Sequence, residues 1–288
     1  MIETVLMYHY HTNEDTGVIK LNRVTLCISS QVGCAVGCIF CVTGTLGLLK
    51  NLHRTEILAQ VIYANNYLKQ KLGKKEDGSL WSVRNVVFMG MGEPLMNYPN
   101  VKKVCEFLSS EYYFGLSSKR ITVSTSGVYQ GLEKFITDNL PVSLAFSLHA
   151  PNQELRAHLV PMAKFYTLDK LMELMDEYVR VSDRQVFYEY VMIRDENDTD
   201  EVAHQLGRLL RNRRGHLNLI PYNQNPAIDL HESDPEQIKR FKKIVESYDV
   251  TVTIRQNMGR KEKSACGQLG YEAAQEKLKH ATSDQPKQ

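Results

Sequence analysis

Nowhere in the 288-residue chain do eighteen apolar residues follow one another, which excludes a membrane-crossing helix. The opening Met1-Ile-Glu-Thr lacks the basic stretch that begins an export signal, and polar residues soon interrupt it. Charge of one sign is also missing in bulk: 35 Lys and Arg against 33 Asp and Glu leave a formal net charge of +2. Local basic runs remain, Lys69 to Lys75, Arg208 to Arg214, Lys239 to Lys243 and Arg255 to Lys263. They read either as solvated helix ends or as a nucleic-acid footprint, and charge alone does not choose. No internal repeat is visible. The six cysteines are too few to staple a chain of this size. Without an export signal they point to a reducing, cytoplasmic setting and to metal or catalytic roles.

What is present is a globular composition, 43% hydrophobic and 24% charged, in a length that suits one large domain or two ordinary ones. Apolar β-branched runs predict strands at Val24–Ser29, Val83–Met89, Arg120–Thr125, Val142–Leu148, Val186–Ile193, Leu217–Pro221 and Val250–Arg255. Helical periodicity lies between them. Thr55 is placed to cap the first helix, with Ile57, Leu58, Val61, Ile62 and Leu68 along its inner face, and Asp234-Pro235 opens another. Strands alternating with helices imply parallel β–α units and an α/β fold closed into a full or partial barrel. The expected division is a strand extension over residues 1–22, a barrel core over 23–271 and a polar, frayed tail over 272–288.

In such folds chemistry collects at the carboxyl ends of the strands. There the sequence sets Gly33-Cys-Ala-Val-Gly-Cys-Ile-Phe-Cys41, then Gly90-Met-Gly-Glu93, Ser124-Thr-Ser-Gly127, Ser147-Leu-His149 and Pro221-Tyr-Asn223. Cys34, Cys38 and Cys41 supply three thiolates and lack a fourth. A closed structural zinc site or a ferredoxin-type cubane takes four ligands. Three fit a 4Fe–4S cluster with one iron open to substrate, as in radical S-adenosylmethionine enzymes. A zinc knuckle completed by a distant histidine and three unrelated buried thiols remain the alternatives.

Gly92 and Glu93 offer close backbone approach and a carboxylate for an ammonium group; a simple turn is the bland reading. Ser124, Ser147, Leu148 and His149 are placed to meet ribose hydroxyls and a carboxylate. Asn223 carries the donor–acceptor pair that reads an adenine edge. Cys266, flanked by small residues after the last strand, suits an exposed loop above the barrel mouth. Cys27 lies on the first strand, pointing to that mouth or into the core, and Cys105 belongs to the core.

These segments, in order from Glu3 to Leu269, resemble the RlmN family. They include Thr25-Leu-Cys-Ile-Ser-Ser-Gln-Val-Gly-Cys34, Val86-Val-Phe-Met-Gly-Met-Gly-Glu-Pro-Leu95, Thr122-Val-Ser-Thr-Ser-Gly127, Ser147-Leu-His-Ala-Pro151, Leu219-Ile-Pro-Tyr-Asn223 and Ala265-Cys-Gly-Gln-Leu269. The resemblance implies a radical-SAM partial barrel and an enzyme that methylates carbon 2 of an adenosine in 23S ribosomal RNA, in tRNA, or in both. The sister Cfr family modifies carbon 8 with the same cysteines, and a non-catalytic iron–sulfur RNA-binding protein is the reading from another class. The resemblance also implies one 4Fe–4S cluster on Cys34, Cys38 and Cys41, S-adenosyl-L-methionine at Gly92, Glu93, Ser124, Ser147, Leu148, His149 and Asn223, and an electron donor such as flavodoxin. A monomer is expected. Cys266 would carry the methyl group as S-methylcysteine, Cys27 would resolve the RNA adduct through a transient disulfide with Cys266, and Glu3 matches the family's proton acceptor.

The sequence also departs from the family. Members carry a small helical domain ahead of the position of Glu3 that helps hold RNA; its absence here leads to the expectation of a shortened form or an incomplete start. Ala163 stands where an Asn is usual, and Asp195 where a Gly is usual, tolerable because Asp visits positive φ. Gly259-Arg-Lys-Glu-Lys replaces a more acidic pattern ahead of Cys266.

Overall fold

Alternating apolar strands and amphipathic helices become one curled sheet in the computed structural model, which describes residues 2–14, 17–225, 228–255 and 267–270. β1 (Val5–Thr12) and β2 (Ile19–Cys27) pair antiparallel. A second, two-stranded sheet follows from β3 (Gln31–Cys34) and β4 (Gly47–Asn51), with the single turn α1 (Val42–Thr45) between them. After α2 (Arg54–Leu72) the chain alternates through β5 (Asn85–Phe88), α3 (Tyr98–Ser109), β6 (Ile121–Thr125), α4 (Tyr129–Thr137) and β7 (Ser143–Ser147). It continues with α5 (Gln153–Leu159), α6 (Leu168–Ser182), β8 (Val186–Met192), α7 (Asp200–Leu210), β9 (Gly215–Pro221), α8 (Pro235–Glu246) and β10 (Val252–Ile254). The main sheet has eight strands in the order β1-β2-β5-β6-β7-β8-β9-β10, parallel from β2 onward. This is the partial β/α barrel expected from the sequence.

All seven expected strands are present, with shifted ends. β2 starts at Ile19, five residues early, because only Val24 to Cys27 are buried and its outer half is held by pairing to β1. Period-two alternation sends Leu26, Val86, Phe88, Val123, Leu144, Phe146, Tyr188, Tyr190, Leu217 and Leu219 into the core beneath the helices. The intervening residues face the inside of the curl. Cys105 is in the core, as expected.

Two helix expectations need correction. The N-cap of α2 is His53, not Thr55: Glu56, three residues on, accepts the His53 N–H at 2.8 Å and closes a capping box there. Ile62 is 49% exposed, while Gln60 and Ala64 take the inner face with Ile57, Val61 and Leu68. Gln60 is buried because both ends of its amide are hydrogen-bonded. It accepts from Ser29 N and Thr4 Oγ1 and donates to Ser29 O. Asp234 is the N-cap of α8, with Pro235 in its first turn. Asp195 adopts φ +61°, the conformation its position demands.

Candidate active site

The loop after β2 is pinned before it reaches the cysteines. Ser29 Oγ donates to Glu3 O and accepts from Met91 N, while Asn97 Nδ2 donates to Ser30 O and Leu52 O. Gln31 accepts the Glu93 N–H on Oε1 and donates through Nε2 to Asn51. β3 then delivers Cys34 opposite Gly47, and Cys41 is the N-cap of α1. Cys41 N–H donates to Cys38 O, and Ile39 N–H donates to Leu159 O at the end of α5. All three thiols line one cavity of about 160 Å³.

Burial, reinforced by mutual repulsion, pushes the Cys34 thiol up to about 12 and the Cys38 thiol well above its ordinary value; burial also raises Cys41. Three such thiols ionise together only when a compensating positive charge arrives, which is the behaviour of a metal-cluster ligand set. Among the described residues no group of His, Cys, Asp or Glu is gathered tightly enough for a single metal ion. Three thiolates without a fourth ligand suit a 4Fe–4S cluster with one iron left open better than a closed four-ligand zinc.

The opposite wall comes from the strand ends. Gly90, Gly92, Glu93, Ser124, Ser147, His149 and Asn223 all line the same cavity. Glu93 is 3% exposed and already held, accepting from Leu95 N on Oε1 and from Ser126 N and Oγ on Oε2. Burial nevertheless raises its carboxyl above the ordinary range. Gly92 serves close approach, but to protein: a Cβ there would lie 2.5 Å from Gln31 Cβ. Ser124 Oγ and Ser147 Oγ stand 3.4 Å apart. Leu148 turns its side chain into the core, and its carbonyl accepts from Arg156 Nε.

His149 sits at φ +59° and accepts Val191 N–H on Nδ1 at 3.1 Å. Burial, with the nearby Arg156 charge, pushes its pKa down to about 3. As the pH falls below the ordinary value of 6.5, the unfolded chain binds a proton that the native chain refuses. Stability is therefore lost at about 1.4 kcal/mol per pH unit for this one group. His149→Asn keeps an acceptor and tolerates positive φ. In the metal-free protein it should make the loss of stability between pH 6.5 and 5, read by urea unfolding, about 2 kcal/mol smaller. An unchanged slope would remove His149 from the acid response.

Glu3 is not among the cavity-lining residues, yet it is tied to the segment beyond the cysteines: its Oε1 accepts Gly270 N–H at 2.8 Å. Gly267 and Leu269 of that segment line the cavity, where Val42 N–H donates to Gly267 O at 2.9 Å and Thr43 Oγ1 to Leu269 O at 2.7 Å. Cys27 ends β2, is 9% exposed and is not among the cavity-lining residues. Cys266 and the tail over 272–288 lie outside the described residues.

Sequence reasoning missed Glu189 and Arg156. Glu189 is 5% exposed, lines the cavity, accepts from Asn218 Nδ2 on Oε1 and has its carboxyl raised by burial. Its signal was available: an acid at an inward position of an otherwise apolar strand. Arg156 shares a face of α5 with Leu159, three residues on.

A curled parallel sheet with a three-thiol loop after its first parallel strand defines a radical SAM enzyme, and the Radical SAM superfamily model matches residues 28–206. The probable dual-specificity RNA methyltransferase RlmN of Dictyoglomus thermophilum is 42% identical over 268 residues, 93% of this chain and 72% of that protein. The ribosomal RNA large subunit methyltransferase N of Nitrosopumilus maritimus is 39% identical over 93% of this chain and 73% of that protein. The crystal structure of a radical SAM methyltransferase from Sphaerobacter thermophilus superposes with a TM-score of 0.83 at 40% identity, over 93% of this chain and 73% of that one. The chain belongs to the RlmN family and is an enzyme of the transferase class.

Proposed function

We propose that this enzyme methylates carbon 2 of an adenosine in large-subunit ribosomal RNA, in tRNA, or in both, through a methyl group first carried on Cys266. The observation that carries the reading is the pair of hydrogen bonds from Val42 N and Thr43 Oγ1 to Gly267 O and Leu269 O. They fasten the residues after Cys266 to the turn that follows Cys41.

An adenine ring carbon is a poor nucleophile, so polar methyl transfer to it fails and radical chemistry is required. Cys34, Cys38 and Cys41 would hold a 4Fe–4S cluster; when bound, it supplies the electron that opens a carbon–sulfur bond of S-adenosylmethionine. The chain's own residues do the rest. Gly92 and Glu93 receive the methionyl ammonium, Ser124 and Ser147 the ribose hydroxyls, and Asn223 the adenine edge. Glu3, whose Oε1 accepts Gly270 N–H, would be the proton acceptor. Among the described residues no helix is long and apolar enough to cross a membrane.

The test is expression in a host lacking such methyltransferases, with ribosomal RNA and tRNA digested separately and nucleosides run against 2-methyladenosine and 8-methyladenosine standards. A 2-methyladenosine peak is expected, and the fraction carrying it names the substrate. An 8-methyladenosine peak would move the chain to carbon-8 chemistry, and the absence of both would overturn the assignment.

A further inference from the structure

Arg156, on α5, is 0% exposed and makes no ion pair among the described residues. Its Nε donates to Leu148 O at 3.1 Å, and its Nη2 to Ser126 O at 2.6 Å and Ser147 O at 3.2 Å. Its guanidinium lies 5.0 Å from the centre of the Phe146 ring. Nη1 is buried with no hydrogen-bond partner among the described residues. Carbonyls and a ring face soften the burial of a cation, but a full charge without an anion still costs several kcal/mol.

Ser126 and Ser147, whose carbonyls take Arg156 Nη2, line the same cavity as Cys38 and Glu93, the two groups whose negative charge would act on it. Glu93 is reached through Ser126, whose carbonyl takes Arg156 and whose N–H and hydroxyl serve the carboxylate. Cys38 is held near by the bond from Ile39 N–H to Leu159 O, one turn along α5 from Arg156. Glu93 is meant for the cofactor's ammonium in the reading given above. The anion left for Arg156 is the thiolate centre.

We infer that Arg156 is the buried counter-charge of the three-thiolate centre and sets how readily that centre accepts an electron. The inference rests on the cluster reading of Cys34, Cys38 and Cys41. One-electron reduction by the external donor adds negative charge to the centre. A fixed cation beside it favours the reduced form and raises its potential. A role confined to bracing the ends of β6 and β7 would leave the potential alone.

The experiment reconstitutes the full chain anaerobically with iron and sulfide and follows the midpoint by electron paramagnetic resonance, without S-adenosylmethionine. Arg156→Gln should make reduction at least tenfold less favourable, a fall of about 59 mV for one electron. Arg156→Lys keeps the charge but loses the fork of donors, and should recover most of the shift. Should Arg156→Gln fail to fold, citrulline at the same position keeps the shape and most donors, loses the charge, and carries the same expectation. A folded neutral variant with a normal cluster signal and an unmoved midpoint would overturn the inference alone. Absence of any cluster signal in the wild-type chain would overturn the cluster reading and the inference with it.

Discussion

Cys266→Ala is expected to abolish both methylated product and any covalent protein–RNA species, whereas Cys27→Ala should lose product and accumulate the covalent species. The two sulfurs differ in what they do to bonds. In the proposed mechanism Cys266 would gain a methyl group, and that methyl would lose one hydrogen atom to the radical S-adenosylmethionine supplies. The resulting carbon radical would add to adenine carbon 2, so that RNA and protein are joined through a methylene. Release would then need a second sulfur. The Cys27 thiolate would attack the Cys266 sulfur, a sulfur–sulfur bond would form, and the old sulfur–carbon bond would break with its electron pair on the carbon, which takes up a proton to become the methyl group. On this reading nothing would carry the methyl without Cys266, and the carbon would have no way off without Cys27. Losing a group that makes or breaks a covalent bond costs turnover roughly 10⁴-fold or more. Packing does not explain such a loss, because each substitution removes a single sulfur. The measurement is a denaturing gel of labelled RNA with the purified variants, followed by mass analysis of the peptide around residue 266. Normal turnover by Cys27→Ala would remove it from the mechanism, and adduct formation by Cys266→Ala would remove Cys266.

The barrel was legible because each parallel strand is a short apolar run followed by glycine or small polar residues, and those followers are what line the cavity. His149, Asn223, Ser124 and the three cysteines were found by that rule and share one cavity. The hairpin of β3 and β4 was not legible: Gln31–Cys34 and Gly47–Asn51 are short, each contains a glycine, and neither alternates, so nothing local marks them as strands. Their pairing depends on Gln31 and Asn51 finding each other and the Glu93 backbone. Arg156 was hidden for a different reason. Its burial is invisible until Ser126, Ser147 and Leu148 bring three carbonyls to it from two strand ends. Leu148 shows the converse: a residue inside a functional motif whose side chain serves the core, because alternation along β7 leaves it on the helix side.

Gly33→Ala should empty the metal centre by breaking the hairpin that presents Cys34, although it changes no ligand. Gly33 has φ +75°, and a Cβ built there would lie 1.8 Å from Gly47 O. The conformation alone costs an L-residue about 1–2 kcal/mol. The overlap is with backbone, so no side chain can swing away. Relief requires parting β3 from β4 at the Cys34–Gly47 pair, the register position that fixes the first thiol. We expect a destabilisation of more than about 3 kcal/mol together with loss of most iron and sulfide bound per chain. Gly115→Ala separates strain from collision, since Gly115 has φ +60° with nothing within 4 Å of a built Cβ. It should cost only the conformational term and leave iron content unchanged. Urea unfolding and iron–sulfide analysis of both reconstituted variants read the two quantities. If Gly33→Ala matched Gly115→Ala in both, the hairpin would not be what holds Cys34 in place, and the loop from Cys34 to Cys41 would have to be shaped by α1 and the Ile39–Leu159 bond alone.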